Sequence, residues 1–347
     1  MATDPSPAAP GRSGPTASGW AGPTAPGTRV PGPATGGPRV VAVGGGHGLA
    51  ATLRSLRRVT DDLTAVVAVS DDGGSSGRLR EEFDVVPPGD LRMALAALCG
   101  DDSWGRTWSR VVQHRFAGTG DLAGHSLGNL LITALWEETG DIVTGLDWVG
   151  ALLGAHGRVL PVATRPLQIV ADVAGLHPDD PSVVEQVVGQ VRVATTPGEV
   201  LGVRLEPRDV TACPAAVTAI EEAEAILLGP GSWFTSVLAP LQVPRIGRSV
   251  AGATGRVVVV LNLAPQPGET SGFSPQRHLE VLAAQAPGLR VDTVLADPTT
   301  VGDVDVLAAA AAQLGARLVL APVASRDGSP RHDVDLLAAA FGGILRG

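Results

Sequence analysis

The 347-residue sequence contains no lysine and no tyrosine. Without lysine there can be no Schiff-base catalysis, no lysine general base and no P-loop lysine. A Tyr-x-x-x-Lys pair cannot exist either, which removes that route to an NAD-dependent oxidoreductase. Every cationic contact to a phosphate must then come from arginine, a helix N-terminus or a metal. Cys99 and Cys213 each stand alone, outside any CxxC, and read as buried reduced thiols. The histidines show neither HxxxH nor HExxH spacing, so a structural zinc site is not expected. No apolar run is long enough to span a bilayer. The N-terminus lacks the basic start and apolar core of a secretory signal. A cytoplasmic protein with no membrane partner is expected. No arginine cluster exceeds a short pair such as Arg57-Arg58, and the net charge is −9, so no nucleic-acid partner is expected.

Hydrophobic residues make up 44% and charged residues 18%, enough apolar material for a sizeable core. Residues 1–38 differ from the rest: they hold nine prolines and eight glycines among Ala, Ser and Thr. Such a segment buries too little apolar surface to offset its ordering entropy, and a disordered tail is expected. Residues 39–347 read as a single α/β domain.

Within that domain the apolar pattern alternates. Arg39–Val43 reads as a buried strand, Leu49–Val59 as a helix and Leu63–Ser70 as a second strand, one βαβ unit. Helical spacing follows at Asp90–Leu98, Trp104–Phe116, Ser126–Thr139, Val143–Leu153, Val304–Leu314 and Val334–Leu345. Strands are expected at Arg158–Val162, Gln190–Ala194, Ile226–Leu228, Arg256–Leu261, Val291–Ala296 and Arg317–Leu320. The alternation predicts a Rossmann-like, doubly wound, mostly parallel sheet with helices on both faces.

In such folds ligands bind beyond the carboxyl ends of the strands, so the residues just after each strand are informative. The first strand is followed by Gly44-Gly45-Gly46-His47-Gly48, where glycines let the backbone approach a phosphate and a helix start offers N–H groups. The second is followed by Asp71-Asp72-Gly73-Gly74-Ser75-Ser76 and Arg78. Asp71 sits at the end of the second strand, where a dinucleotide site places an acid against ribose hydroxyls. Alternatively, Asp71 and Asp72 hold a Mg²⁺ that bridges phosphate oxygens. Arg78 is suited to a bidentate phosphate contact. Asp90 is placed to cap a helix, while Arg92 lies in a first turn where a cation opposes the dipole, which favours a ligand contact. His125, Ser126 and Asn129 precede or open an apolar helix and are either caps or substrate contacts. Gly229, Gly231 and Ser232 repeat the glycine corner after a later strand, and Asn262 with Gln266–Thr270 gives a polar turn at the same edge.

The ordered set Val43-Gly-Gly-Gly-x-Gly, Asp71-Asp-Gly-Gly-Ser-Ser-Gly-Arg-Leu-Arg80, Pro-Pro-Gly-Asp-x-Arg92, Gly-His-Ser-Leu-Gly-Asn129, Gly-Pro-Gly-Ser232 and Asn262 with Gln-Pro-Gly-Glu-Thr270 resembles the gluconeogenesis factor (YvcK) family. That family belongs to the broader group related to 2-phospho-L-lactate transferase (CofD). The resemblance spans residues 39–346. It implies a cytoplasmic regulatory protein that binds UDP-sugars, notably UDP-N-acetylglucosamine, and is required for cell shape and wall synthesis on gluconeogenic carbon sources. It also implies that the arginine of Arg331-His332-Asp333 contributes to UDP-sugar binding. The transferase relatives imply the alternative, a Mg²⁺-dependent enzyme moving a phosphorylated group. A homo-oligomer is compatible with either. Three positions depart from the family pattern: His47 replaces Thr, Met93 replaces Asn, and Trp233-Phe234 replaces Leu-Tyr.

Overall fold

A computed structural model describes residues 36–346. The Pro/Gly-rich tail expected at 1–38 therefore lies, through residue 35, outside the described residues. The strands are β1 (Val40–Gly44), β2 (Leu63–Val67), β3 (Arg158–Pro161), β4 (Gln168–Ala174), β5 (Val184–Val188), β6 (Glu199–Glu206), β7 (Ala225–Leu228), β8 (Arg256–Val260), β9 (Thr293–Ala296) and β10 (Arg317–Leu320). Seven of them form one sheet in the order β10-β9-β8-β7-β1-β2-β3, every pair parallel. All residues of β1 and β7 are buried, as continuous Val/Leu/Ile/Ala runs covered on both faces should be. The chain runs outward from β1 through β2 to β3, then returns to β7 on the other side of β1 and runs outward again. The order of strands thus reverses between β1 and β7. Right-handed crossovers then place the helices of the two halves on opposite faces.

On one face α1 (Gly46–Leu56), α2 (Gly74–Phe83), α3 (Gly89–Leu98), α4 (Ser103–Gln113) and α5 (Leu127–Thr139) follow β1 and β2. The helix Val334–Arg346 packs beside α1. Pro214–Glu221, Pro244–Ala251, Pro275–Gln285 and Val304–Gln313 supply the other half. Three of these four helices begin at proline, whose missing N–H costs nothing at a first helical position.

Three features differ from the sequence expectations. Gln190–Ala194 is a short helix, not a strand. Its valines favour extended backbone, but β5 ends at Val188 because Gly189 takes φ +104°, and the Asp72 carboxylate then accepts the Val191 N–H. Next to it β5-β4-β6 form a second, antiparallel sheet that the alternation did not suggest. Thirdly, the Gly-Gly-Ser-Ser run starts a helix, α2 at Gly74, which the apolar pattern did not indicate.

Candidate functional site

The reversal of strand order opens a crevice at the carboxyl ends of β1 and β7, the position where such sheets bind ligands. Gly44–Gly48 leaves β1 and turns at once into α1. Gly229–Ser232 leaves β7 and turns into a wide, π-helical segment at Trp233–Leu238. The two corners touch: a Cβ on Gly48 would lie 2.6 Å from the carbonyl carbon of Pro230 and 2.7 Å from Gly231 Cα. Asn262, just past β8, braces the second corner. Its Oδ1 accepts the Gly231 N–H at 3.0 Å and its Nδ2 donates to the Gly231 carbonyl at 2.8 Å. Buried Glu269 accepts the N–H groups of Phe234 (2.9 Å) and Thr235 (3.3 Å), fixing the start of the π-helical segment. Burial holds its carboxyl above the usual range despite these donors.

Between the corners lies a cleft of about 300 Å³, with Gly45–Gly48, Asp71, Asp90, Gly231 and Ser232 in its walls. The N-cap of α1, Gly45, has no side chain to cap the helix and the first turn holds no acid, so the positive dipole end and the backbone donors beyond Gly46 face this space. Asp90 takes the Gly46 N–H. Its carboxyl is pushed up to about 7, first by burial and then by the negative charge of Asp71; the Gly46 N–H and Arg92 only partly offset this. Two acids are thus crowded at the cleft floor. The pair is Asp71 and Asp90, not Asp71 and Asp72, because the Asp72 carboxylate is engaged with Val191. Asp71 keeps one oxygen on the Gly73 N–H at 3.0 Å.

Behind the floor runs a buried polar chain. Arg92, only 4% exposed, donates through Nε to Asn129 Oδ1 at 2.9 Å and also to Gln113. Burial, with Arg115 nearby, lowers its pKa to about 10. Asn129 Nδ2 donates to Ser75 Oγ at 3.0 Å, and the Ser126 N–H approaches the same oxygen at 3.4 Å. With those two donors on Ser75, its hydroxyl proton is directed to His125 Nδ1, 3.0 Å away. This arrangement suits the neutral, Nε2-protonated tautomer of His125. Burial, then the charge of Arg78, depresses its pKa in the same sense. The Ser126 hydroxyl bonds the Val112 carbonyl at 3.0 Å. Arg92, His125, Ser126 and Asn129 thus position α2, α3 and α5 around the cleft and do not line it.

Of the residues read from sequence, Gly45, Gly46, His47, Gly48, Asp71, Asp90, Gly231 and Ser232 meet in the cleft. Gly44, Gly229 and Asn262 shape its corners. Ser75 belongs to the chain behind it, and Ser76 is buried in the first turn of α2. Arg78 instead donates to the carbonyls of Ala123 (2.8 Å) and Asp121 (3.3 Å) and, with Asp72 and Gly74, lines a neighbouring groove. Arg331 lies exposed in the loop after β10. That loop folds back along the same carboxyl rim, where neighbouring His332 bonds the backbone of Leu261 just past β8. Met93, Gln190, Thr235 and Ser236 also line the cleft. Gln190 was hidden by the strand reading of its segment. Thr235 and Ser236 directly follow the Trp-Phe pair, a signal that was available.

The sequence profile of the family described as 2-phospho-L-lactate transferase CofD matches residues 40–318, from β1 into β10. The chain belongs to the CofD family. Within that family it groups with gluconeogenesis factors. The gluconeogenesis factor of Listeria innocua is 34% identical over 322 residues, covering 89% of this chain and 96% of its own length. That of Bacillus subtilis is 36% identical over 266 residues, covering 77% of this chain and 80% of its own length. A Mycobacterium tuberculosis relative is 51% identical over 308 residues, covering 88% and 90%. The crystal structure of a UPF0052-family protein from Bacillus halodurans superposes with a TM-score of 0.76 at 32% identity, covering 87% of this chain and 97% of that one. This CofD-family chain has no helix among its described residues long and apolar enough to cross a membrane.

Proposed function

We propose that the cleft binds the diphosphate of a UDP-sugar, UDP-N-acetylglucosamine in the first instance, and that the protein acts through this binding as a cytoplasmic regulator. One observation carries the reading: two glycine corners from adjacent strands meet over a helix start whose N-cap is a glycine and whose first turn holds no acid, so that only the Gly46 N–H is taken, by Asp90. This suits an anion, and the missing lysine leaves backbone, arginine and metal to neutralise it.

A Mg²⁺ ion fits the donor set. Two carboxylates face one cleft, and the mutual repulsion that raises Asp90 is what a divalent cation relieves. Among the described residues no group of three or more candidate ligands exists. That suits Mg²⁺, which commonly takes one or two carboxylates and completes its shell with phosphate oxygens and water. Asp71 and Asp90 would hold it, and it would supply charge neutralisation for the diphosphate.

The test is a thermal-shift panel of UDP-N-acetylglucosamine, UDP-glucose, NAD⁺ and GTP, with and without Mg²⁺. UDP-sugars should stabilise the protein, more with Mg²⁺, and Asp71→Asn should remove the Mg²⁺ increment. Equal shifts for all four nucleotides, or an Asp71→Asn variant that keeps the increment, would refute the reading. The cellular role that follows is support of cell shape and wall synthesis on gluconeogenic carbon sources, read out by complementation with the same variant.

The second reading, a Mg²⁺-dependent transferase of a phosphorylated group, draws on Asp90 itself. A carboxyl near 7 sits where a general base is most effective. Mg²⁺-dependent consumption of a deazaflavin acceptor with an activated phospholactyl donor supports it; no consumption removes it.

Arg331 offers a separate check. Its neighbour His332 bonds the backbone of Leu261 just past β8, the strand next to β7, which puts the Arg331 loop on the part of the rim that a nucleotide sugar leaving the cleft would cross. Arg331→Ala should weaken UDP-sugar binding at least tenfold, the size set by a charge-assisted hydrogen bond of about 1.5–3 kcal/mol. The melting temperature should not move, because the side chain is exposed. Calorimetric titration showing unchanged affinity would take Arg331 out of the site.

A further inference from the structure

The helices α1 and α3 begin at the cleft and end at the opposite edge of the sheet. There, five arginines from two separate stretches of sequence converge. Arg54, Arg57 and Arg58 come from the end of α1, and Arg106 and Arg110 come from α4. They line a cavity of about 430 Å³ in which Asp101 is the one acid. In a chain of net charge −9 this concentration of one sign runs against the overall balance.

The local partners do not account for it. Arg57 reaches Asp101 at 2.5 Å, Arg58 pairs with Asp335, and Arg106 donates to the Asp101 carbonyl. Among the described residues Arg54 and Arg110 make no ion pair. The ends of α1 and α3 add about half a negative charge each. Roughly two positive charges stay uncompensated by this count. The Arg57 side chain is only 11% exposed, and its Nε is buried with no hydrogen-bond partner. The fork of a guanidinium fits phosphate oxygens two at a time. Burial, then the charge of Arg57, also lowers the pKa of Arg54, the cost expected where like charges crowd.

We propose that this cavity is a second anion site, taking a small phosphorylated metabolite through Arg54, Arg57 and Arg110. At 1.5 Å rise per residue the 11-residue α1 separates it from the cleft by roughly 16 Å. The two sites are therefore distinct, and this proposal does not depend on what the cleft binds.

Calorimetric titration of the full chain at fixed ionic strength tests it, with pyrophosphate and glycerol 3-phosphate as probes and malonate as a carboxylate control. Arg54→Gln and Arg110→Gln should each weaken one class of phosphate site at least tenfold, while Asp71→Asn leaves that class intact. Arg110 is exposed on α4, so its variant should fold even if Arg54→Gln does not. Wild-type isotherms in both arginine variants would overturn the proposal. So would malonate matching the phosphates, or loss of all phosphate binding in Asp71→Asn alone.

Discussion

An Asp90→Asn variant is expected to melt several degrees above the parent at pH 8, with the gap narrowing to less than half as the pH is lowered to 5. The folded protein holds the Asp90 carboxyl at about 7, against an ordinary value of 3.8. Between those values the folded chain binds a proton that the unfolded chain has released. Stability therefore falls as pH rises through that window and levels off above 7, where both states are ionised. At 1.36 kcal/mol per unit the window sets a ceiling of about 4 kcal/mol; relaxation around the ionised group brings the expected gain nearer 2 kcal/mol. Asparagine keeps an oxygen for the Gly46 N–H, so only the charge is removed. The same variant should lose the Mg²⁺-dependent part of any nucleotide shift. Scanning fluorimetry from pH 5 to pH 8.5 measures the gap, and a gap independent of pH would show that Asp90 carries no such penalty.

A Gly48→Ala variant is expected to lose about 3 kcal/mol of stability and more than tenfold in nucleotide affinity. The added methyl meets main chain, not the end of a side chain: Pro230 and Gly231 both lie within 2.7 Å of it. Overpacking of this kind costs about 1–3 kcal/mol where neighbours can give way. Here they give way poorly. The facing corner is tied by both bonds of Asn262, and the Thr52 hydroxyl of α1 bonds the Gly229 carbonyl at 3.2 Å. Relief requires prying β1 and β7 apart at their ends, which opens the cleft. Urea unfolding gives the stability term. His47→Ala is the control: its side chain is exposed one residue earlier and should leave the urea midpoint unchanged. Equal midpoints for the two variants would mean that the corners do not press on one another.

The parallel sheet was legible because its strands are short apolar runs, and each of its seven strands was anticipated within a few residues. The corners after β1 and β7 were legible for a related reason: glycines directly behind such a run have few structural explanations. What escaped had physical causes. β4, β5 and β6 carry mixed exposed and buried residues with no sharp period, and the strand signal of Gln190–Ala194 was overridden by Gly189 and Asp72. Asp72 and Asp71 are indistinguishable as letters, and only the position of Val191 separates their roles. Arg78 had the chemistry of a phosphate ligand, but nearby carbonyls claimed it. The five arginines became a cluster only once α1 and α4 were both packed on α3, which brings together segments with no shared motif.

Both walls of the cleft rise from neighbouring strands of one buried sheet, and this has a kinetic consequence. No hinge separates β1 from β7, so the corners cannot swing together over a ligand. The cleft is preformed. For the phosphorylated ligand and cation proposed above, association would be governed by diffusion, by desolvation of the phosphate and by arrival of the cation. Selectivity between nucleotides falls to whatever lies farther along the rim.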